Sequence, residues 1–156
     1  MKVILASDHA GFALKSHIAQ FLGAEGHEVI DVGAHDMDPT DDYPVFMKTA
    51  GERLEDELAN GERAFAIVLG KSGQGEAMAM NRFPEVRAVV YYGGSEDVLK
   101  LSREHNDSNT LSLGAGFLTP EQALAAVTLW IATPFSGEER HTRRNEALVH
   151  MSDRMW

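Results

Sequence analysis

Short apolar runs and longer segments with helical spacing alternate along this chain. Runs of apolar, β-capable residues predict buried strands, and apolar residues that recur every three or four positions predict helices. The strands are predicted at Lys2–Ser7, Val29–Gly33, Ala64–Leu69, Val86–Tyr92 and Thr110–Leu113. The helices are predicted at Phe12–Leu22, Pro44–Ala59 and Glu76–Met80, from a Ser95 cap through Glu104, from a Thr119 cap to Thr133, and at Glu138–Met151.

The strict order of strand and helix predicts an α/β fold. Repeated strand–helix pairs indicate a Rossmann-like, doubly wound five-stranded parallel sheet with helices on both faces and an extra C-terminal helix. No repeat, low-complexity tract or linker divides the sequence, so residues 1–156 are expected to form one domain. In such sheets ligands bind beyond the carboxyl ends of the strands. The segments after strands one, three and four contain side chains that could take part in catalysis or binding. We therefore expect these segments to lie together at that edge.

The composition excludes several classes of function. A net charge of −10 argues against nonspecific binding to nucleic acid or to an anionic membrane surface. The chain has no cysteine, so disulfides, a thiolate nucleophile and thiolate metal ligands are excluded. The first residues run into Asp8 too soon for a signal peptide, and no apolar segment is long enough to span a bilayer. A soluble protein of the cytoplasm is the expectation.

A glycine-rich loop follows the third predicted strand and leads into a helix. Its glycines, at positions 70, 73 and 75, match neither the dinucleotide-binding spacing nor a Walker loop. The loop brings the hydroxyl of Ser72, a row of backbone amides and the carboxyl group of Glu76 together at a helix N-terminus. These groups suit proton transfer and the binding of an oxyanion. The loop alone leaves open the alternative of a helix entry without a ligand, in which Glu76 is only a favourable charge.

Three further segments carry groups with possible chemistry. Asp8-His9 follows the first strand, His105-Asn106 ends a helix, and Arg140-His141 with Arg144 lies on one face of the last helix. The arginines suit a phosphate or carboxylate group. Each segment has a structural alternative: a helix cap, a turn, or a solvated face paired with neighbouring glutamates. No histidine pair has the spacing of a zinc site, so no metal requirement is predicted.

Taken together, these segments resemble the ribose-5-phosphate isomerase type B and galactose-6-phosphate isomerase family. The similarity covers nearly the whole chain, in order and with matching spacing. It lies in Ser7–Phe12, Asp42–Pro44, the glycine loop with Asn81, Leu101–Asn106 and Arg140–Arg144. The resemblance implies metal-free aldose–ketose isomerisation through an enediolate, without a cofactor, on ribose 5-phosphate. It also implies a site shared between the subunits of a homodimer, with a tetramer as the alternative assembly.

The resemblance also implies a role for each site residue. Glu76 would take the proton from C2 of the sugar and return it to C1, while Ser72 would help to stabilise the oxyanion. His105, with Asp8, would open the sugar ring. The remaining residues would bind the sugar and its phosphate, some of them from the partner subunit: His9, Tyr43, Gly73, Gly75, Asn106, Arg140, His141 and Arg144. Burial should raise the pKa of Glu76 and the helix N-terminus should lower it, so the sequence leaves the direction open.

Three positions decide how far the resemblance reaches. Many family members have a cysteine base where this chain has Gly70, and Glu76 is similar to the glutamate that replaces it in another branch. Gly116 stands where members usually carry a phosphate-binding arginine, and Lys71 stands where a glycine is usual. The same isomerisation of another sugar, a hexose or tetrose phosphate or an unphosphorylated acidic sugar, therefore stays open. So does a noncatalytic homologue that binds sugar phosphates.

Overall fold

The computed structural model describes residues 1–149 and residue 151. Strands and helices alternate along the chain as predicted. The strands are β1 (Lys2–Ser7), β2 (Glu28–Asp31), β3 (Ala64–Gly70), β4 (Ala88–Tyr91) and β5 (Thr110–Gly114). The helices are α1 (Phe12–Ala24), α2 (Tyr43–Ala59), α3 (Gln74–Met80), α4 (Asp97–Glu104), α5 (Pro120–Ala132) and α6 (Glu139–Val149).

The strands form one parallel sheet in the order β2-β1-β3-β5-β4. The central strand β3 is buried along its whole length, which explains its continuous apolar sequence. Its first residue, Ala64, pairs with Lys2 of β1, and its last, Gly70, pairs with Gly114 of β5. The predicted five-stranded, doubly wound architecture is therefore confirmed.

Alternate residues of β3 point into two separate cores. Phe65, Ile67 and Leu69 pack with α1, α4 and α5, in a cluster that includes the fully buried Trp130. The intervening small residues pack with α2 and α3 around Met47. Each large apolar side chain buried in this way contributes about 1.5–3 kcal/mol of transfer free energy. The sheet is thus held from both faces, and its carboxyl edge is a rigid base for the loops above it.

Helix α6 is the exception to this packing. In residues 1–149 and 151 it contacts loops rather than another helix or strand. Its Asn145 donates a hydrogen bond to the carbonyl of His105, and Leu148 on the same helix is about half exposed. None of the helices described is long and apolar enough to cross a membrane.

Several predicted boundaries were wrong at the edges of the sheet. Strand β2 ends before Gly33, whose φ of +118° leaves the extended conformation. Strand β4 begins only at Ala88, because the amide of Arg87 donates to the side chain of Asn109 instead of to a strand. Helix α4 begins at Asp97, and the hydroxyl of Ser95 accepts the amide of that residue without serving as the cap.

Other helix boundaries differ less. The Thr119 cap is confirmed, as a complete capping box with Gln122. Helix α3 begins at Gln74, before the predicted Glu76. Helix α6 is described over Glu139–Val149, within the predicted range, of which position 150 lies outside the described residues.

Candidate active site

The turns after β1 and β3 lie against each other at the carboxyl edge of the sheet. Asp8 is buried there, and its Oδ1 accepts hydrogen bonds from the amides of Ala10 at 3.0 Å and Gly11 at 3.3 Å. A Cβ added to Gly11 would lie 2.6 Å from the Cβ of Leu69, so only glycine lets the turn after β1 approach the end of β3 this closely. Asp8 therefore orders the turn before α1, beside the glycine loop, but it does not cap the helix as its structural alternative predicted, because Gly11 is the N-cap residue and has no side-chain cap bond.

The glycine loop is held in place by hydrogen bonds and by close packing. Gly73 adopts a left-handed conformation with φ of +76°. The buried hydroxyl of Ser112 donates to the Gly73 carbonyl at 2.6 Å. The hydroxyl of Ser72 accepts the amide of Gln74 at 3.4 Å, which is a weak bond. The sequence analysis missed Ser112, because nothing in its strand distinguishes it from a residue of the core.

Tyr43 lies against the same loop. A Cβ added to Gly75 would come within 2.7 Å of the Tyr43 hydroxyl oxygen. The first residue of α2 and the first turn of α3 are therefore in direct contact, and Tyr43 lies at the same edge as Glu76.

The carboxyl group of Glu76 is the most deeply buried acidic group at this edge, with 4% of the residue exposed. It lies over the backbone of Gly70, and any Cβ at position 70 would overlap it. Within the described residues it forms no ion pair. Burial raises the pKa of Glu76, and the negative charge of Asp8 adds to this, although the residue's own backbone amide opposes it. The direction that the sequence left open is therefore upward.

A raised pKa suits proton transfer. A carboxyl group that is ionised only at higher pH is a stronger base than an exposed one and also releases its proton more slowly to water. Glu76 thus has the position and the electrostatics of a group that moves a proton within a bound ligand.

His9 is paired with a residue that the sequence analysis did not single out. The Nδ1 atom of His9 lies 2.6 Å from Oδ1 of Asp41, and the same oxygen accepts the His9 backbone amide at 3.1 Å. The hydrogen bond that His9 donates to Asp41 raises the pKa of His9, with smaller contributions from the charges of Asp8 and Asp38. Asp41 is one of several aspartates in its loop, and only the fold shows which of them reaches His9.

Asp8, His9 and Asp41 are also the described residues that could hold a metal ion. One potential ligand atom from each lies within 4.8 Å of the others. The Nδ1 of His9 is already hydrogen-bonded to Asp41, so a cation bound to that nitrogen would have to displace this bond. An ion pair accounts for the arrangement without a metal.

A second cluster of predicted site residues lies at the opposite, amino edge of the sheet. The rings of His105 and His141 are stacked with their centres 4.1 Å apart. The Nδ1 of His141 lies 2.9 Å from the hydroxyl oxygen of Ser136. Burial lowers the pKa of His141, and the nearby charges of His105 and Arg140 lower it further. His141 is therefore a neutral imidazole at neutral pH, held beside cationic side chains.

The arginines of α6 are exposed on this cluster's flank. Arg140 pairs with Glu138 at 3.0 Å and Arg143 with Glu139 at 3.2 Å, as the solvated-face alternative predicted. Both pairs are exposed and are worth little to stability. Arg144, one turn after Arg140, is exposed as well. The cations are thus available to a ligand or to another chain.

We expected the candidate functional segments after strands one, three and four to lie at the carboxyl edge, and this was wrong for His105-Asn106. Arg87, directly before β4, donates to the carbonyl of Asn106 at 3.1 Å, which places this turn at the amino edge. A cavity of about 560 Å³ beside it is lined by Asn106 and Leu148 but not by Glu76. The motif follows α4 rather than β4, so the chain has already crossed the sheet.

The two clusters are therefore separated by the height of the sheet. The seven residues of β3 span about 20 Å at about 3.3 Å per residue. One cluster holds Asp8, His9, Tyr43, Ser72, Gly73, Gly75 and Glu76, and the other holds His105, Asn106, Arg140, His141 and Arg144. A single chain does not bring its predicted ring-opening histidine to its predicted base.

The fold and the buried carboxyl group define a class: a doubly wound α/β protein with a candidate acid–base site at the carboxyl edge of its sheet. Comparisons with known proteins narrow that class. A sequence profile of the Ribose/Galactose Isomerase family matches residues 3–148. Ribose-5-phosphate isomerase B of Mycolicibacterium paratuberculosis is 40% identical, over 96% of this chain and 90% of its own. The enzyme of that name from Escherichia coli is 35% identical, over 98% and 97% of the two chains.

Solved structures agree with these relatives. Ribose-5-phosphate isomerase B from Mycoplasma genitalium, with bound ribulose 5-phosphate, superposes with a TM-score of 0.89 at 29% identity, over 98% of this chain and 97% of that one. The protein from Clostridium thermocellum gives a TM-score of 0.88 at 35% identity, over 97% of each chain. The chain belongs to the ribose/galactose isomerase family. The resemblance inferred from the sequence motifs, and the expectation of an isomerase, are confirmed.

Proposed function

We propose that this chain interconverts ribose 5-phosphate and ribulose 5-phosphate through an enediolate, with Glu76 as the base. The observation that supports the mechanism most strongly is the position of Glu76, which is buried, without an ion pair and directly above Gly70. The substrate is supported by the names of the relatives and by the ribulose 5-phosphate bound in the Mycoplasma genitalium structure.

The chemical step requires one base and a set of donors. Glu76 takes the proton from C2 of the open-chain aldose, and the electrons of that bond form the C1–C2 double bond of the enediolate. The carbonyl oxygen at C1 takes up the negative charge, which Ser72 and the amides near Gly73 and Gly75 stabilise. Return of the proton to C1, with transfer of the hydroxyl proton from O2 to O1, gives the ketose.

We further propose that the site is completed by a second copy of the chain in a homodimer. The two clusters lie at opposite edges of one sheet, so His105 can act with Asp8 only if it comes from a partner. The amino edge of one subunit would then contribute His105, Asn106, Arg140, His141 and Arg144 to the carboxyl edge of the other. A two-fold axis makes this exchange reciprocal and produces two equivalent sites. The loose packing of α6 within its own chain supports the same assembly.

The phosphate end of the substrate would meet cations from both chains. His9 is next to Asp8 on one edge, and Arg140 and Arg144 come with the other. Lys71 supplies a further positive charge beside Gly116, the position that lacks the family's usual arginine. The Gly116 amide donates to the Lys71 carbonyl at 2.9 Å, and a Cβ at position 116 would lie 3.1 Å from Cγ of Lys71. The lysine stem thus runs along the position from which an arginine would start.

Proton exchange at C2, followed by NMR in deuterated water, tests the reaction directly. Ribose 5-phosphate is expected to exchange its C2 proton and to form ribulose 5-phosphate, whereas pentoses without phosphate are not. Glu76→Gln should lower kcat about 10²–10⁴-fold, because the amide cannot accept the proton, and should leave inhibition by inorganic phosphate unchanged. Glu25→Gln, at an exposed position after α1, is the matched control.

Two results would contradict the proposal. Exchange with a hexose phosphate or an acidic sugar, but not with ribose 5-phosphate, would overturn the substrate. Turnover by Glu76→Gln at the rate of the Glu25→Gln control would remove Glu76 from the mechanism. The cytoplasmic location expected from the sequence stays a prediction.

A further inference from the structure

Asp41 lies in the acidic loop between β2 and α2, far in sequence from the residue that it contacts. Its side chain is 10% exposed, and a single oxygen, Oδ1, meets both the backbone amide and the ring Nδ1 of His9. Thirty-two positions separate the two residues along the chain. Two hydrogen bonds to one oxygen fix both the turn at His9 and the plane of its ring.

This contact determines which ring nitrogen of His9 is free. Because Nδ1 is bonded to Asp41, Nε2 is the ring nitrogen that remains for a ligand. His9 is about one-third exposed and follows the buried Asp8, so Nε2 belongs to the same edge as Glu76. The ring is oriented before any substrate binds.

The charges around His9 favour its cationic form. Asp41, Asp8 and Asp38 all face it, and the hydrogen bond that His9 donates to Asp41 has the largest effect in raising the pKa of His9 above its ordinary 6.5. Asp38 is kept ionised by two hydrogen bonds from Thr40, which lower its own pKa. A cationic imidazole donates from Nε2, and an anionic oxygen is the acceptor that it binds best.

The second oxygen of Asp41 shows that the arrangement is not optimised for stability. Oδ2 is buried and has no hydrogen-bond partner in the described part of the chain. A buried carboxylate oxygen without a hydrogen-bond partner costs stability, so its retention requires an explanation. A neutral residue would avoid this cost but would not hold His9 as a cation.

We propose that Asp41 is a positioning residue that keeps His9 protonated, with Nε2 turned towards the anionic end of the bound sugar. Asp41 acts through His9 and touches no reacting atom. The inference rests on the proposed function for the identity of the sugar, but the binding of an anion at His9 stands by itself.

Asp41→Asn removes the negative charge of residue 41 but keeps the shape of its side chain, since the amide oxygen can still accept both hydrogen bonds from His9. Asp42→Asn is the matched control, because it makes the same change of charge one residue later, at an exposed position without a side-chain cap. Asp41→Glu restores the charge and should recover part of the effect. Circular dichroism and Tm establish that each variant is folded.

Two readouts are needed, and neither depends on turnover. Titration of His9 by NMR should show its pKa lower in Asp41→Asn than in wild type and in Asp42→Asn. Competition by inorganic phosphate, followed by fluorescence or calorimetry, should be equal in all three at a pH below every measured His9 pKa, where His9 is charged in each. At a pH between the measured His9 pKa values of Asp41→Asn and of wild type, phosphate should bind Asp41→Asn about tenfold more weakly, because one charge-assisted hydrogen bond is lost.

Each outcome of these measurements either supports or overturns the proposal. If Asp41→Asn and Asp42→Asn share the same His9 pKa and the same phosphate affinity across the pH range of the titration, the positioning role is overturned. It is also overturned if Mg²⁺ or Zn²⁺ binds the wild type, but not Asp41→Asn, with release of the His9 proton, since the cluster would then be a metal site. The protein could also leave ribose 5-phosphate unchanged while Asp41→Asn lowers the pKa of His9 and weakens phosphate binding. That result would support the positioning role of Asp41 and reject the proposed substrate.

Discussion

The two edges of the sheet differ in how their functional groups are held. At the carboxyl edge the groups are held by contacts within the chain: two backbone amides bind Asp8, the Ser112 hydroxyl binds the Gly73 carbonyl, and Glu76 fills the space above Gly70. At the amino edge the arginines are exposed, and Arg140 and Arg143 pair with the nearby exposed glutamates Glu138 and Glu139. The first edge is organised within one chain, whereas the second presents cations outward.

The contrast between the two edges indicates which part of the mechanism each can supply. Proton transfer depends on the position and pKa of one carboxyl group, so it belongs where the fold is rigid and dry. Binding of a phosphate depends on charge and tolerates longer, solvated side chains. If the edges of two chains meet in a dimer, each site combines a fixed base with adaptable cations.

The largest expected effect is on activity, in a heterodimer whose two subunits carry substitutions at different edges of the sheet. A doubly tagged heterodimer of Glu76→Gln and His105→Asn subunits should regain about half of the wild-type activity, because one of its two sites is intact. Each parent homodimer should be nearly inactive. Steady-state kinetics on the purified heterodimer measures this.

The matched control pairs Glu76→Gln with Asp8→Asn. Both lesions lie at the carboxyl edge, so every site keeps one of them and no recovery is expected. A heterodimer of Glu76→Gln and His105→Asn that is as inactive as this control would show that the edges do not meet across subunits.

The next effect concerns the fit of Glu76 above Gly70. Gly70→Ala should lower kcat about 10²-fold, because its Cβ takes the space of the carboxylate and displaces the base by about 1 Å or more. The fold should persist, since the nearest obstacle is the end of a flexible side chain. Kinetics and thermal unfolding together distinguish displacement of the base from unfolding.

Gly23→Ala is the control for this substitution. It lies in α1 with open space around its Cβ, so activity should be unchanged and the free energy of unfolding should rise by up to about 1 kcal/mol. Full activity in Gly70→Ala would mean that the base does not need its observed position.

The smallest effect is on stability and depends on pH. Because the folded-state pKa of Glu76 is raised, its contribution to stability is fully present below about pH 4.5 and is lost as the pH rises through the raised value. Glu76→Gln has no ionisable group at position 76, so it does not lose this stability as the pH rises. Its Tm should therefore exceed that of wild type at pH 7, and the difference should shrink as the pH approaches 4. A difference in Tm that does not change with pH would contradict the raised pKa.

Much of the fold and half of the candidate site were readable in advance. Strand β1, the core of β3 and the glycine loop have strong local patterns, and their predicted positions are confirmed. The edge strands were placed less well, because β2 and β4 are only partly buried and their ends are set by Gly33 and by the side chain of Asn109. Asp41 had no local signal, since every aspartate in its loop looks alike until the loop is folded.

The alternation of strands and helices, the glycines beside the candidate base and the family can all be read from the sequence alone. These are properties of neighbours along the chain, where periodicity and spacing are sufficient. The fold was needed to show that the pKa of Glu76 is raised, that Asp41 pairs with His9, and that His105 lies at the far edge. Burial and charge pairing depend on residues that are distant in sequence and adjacent in space, so the folded chain alone sets them.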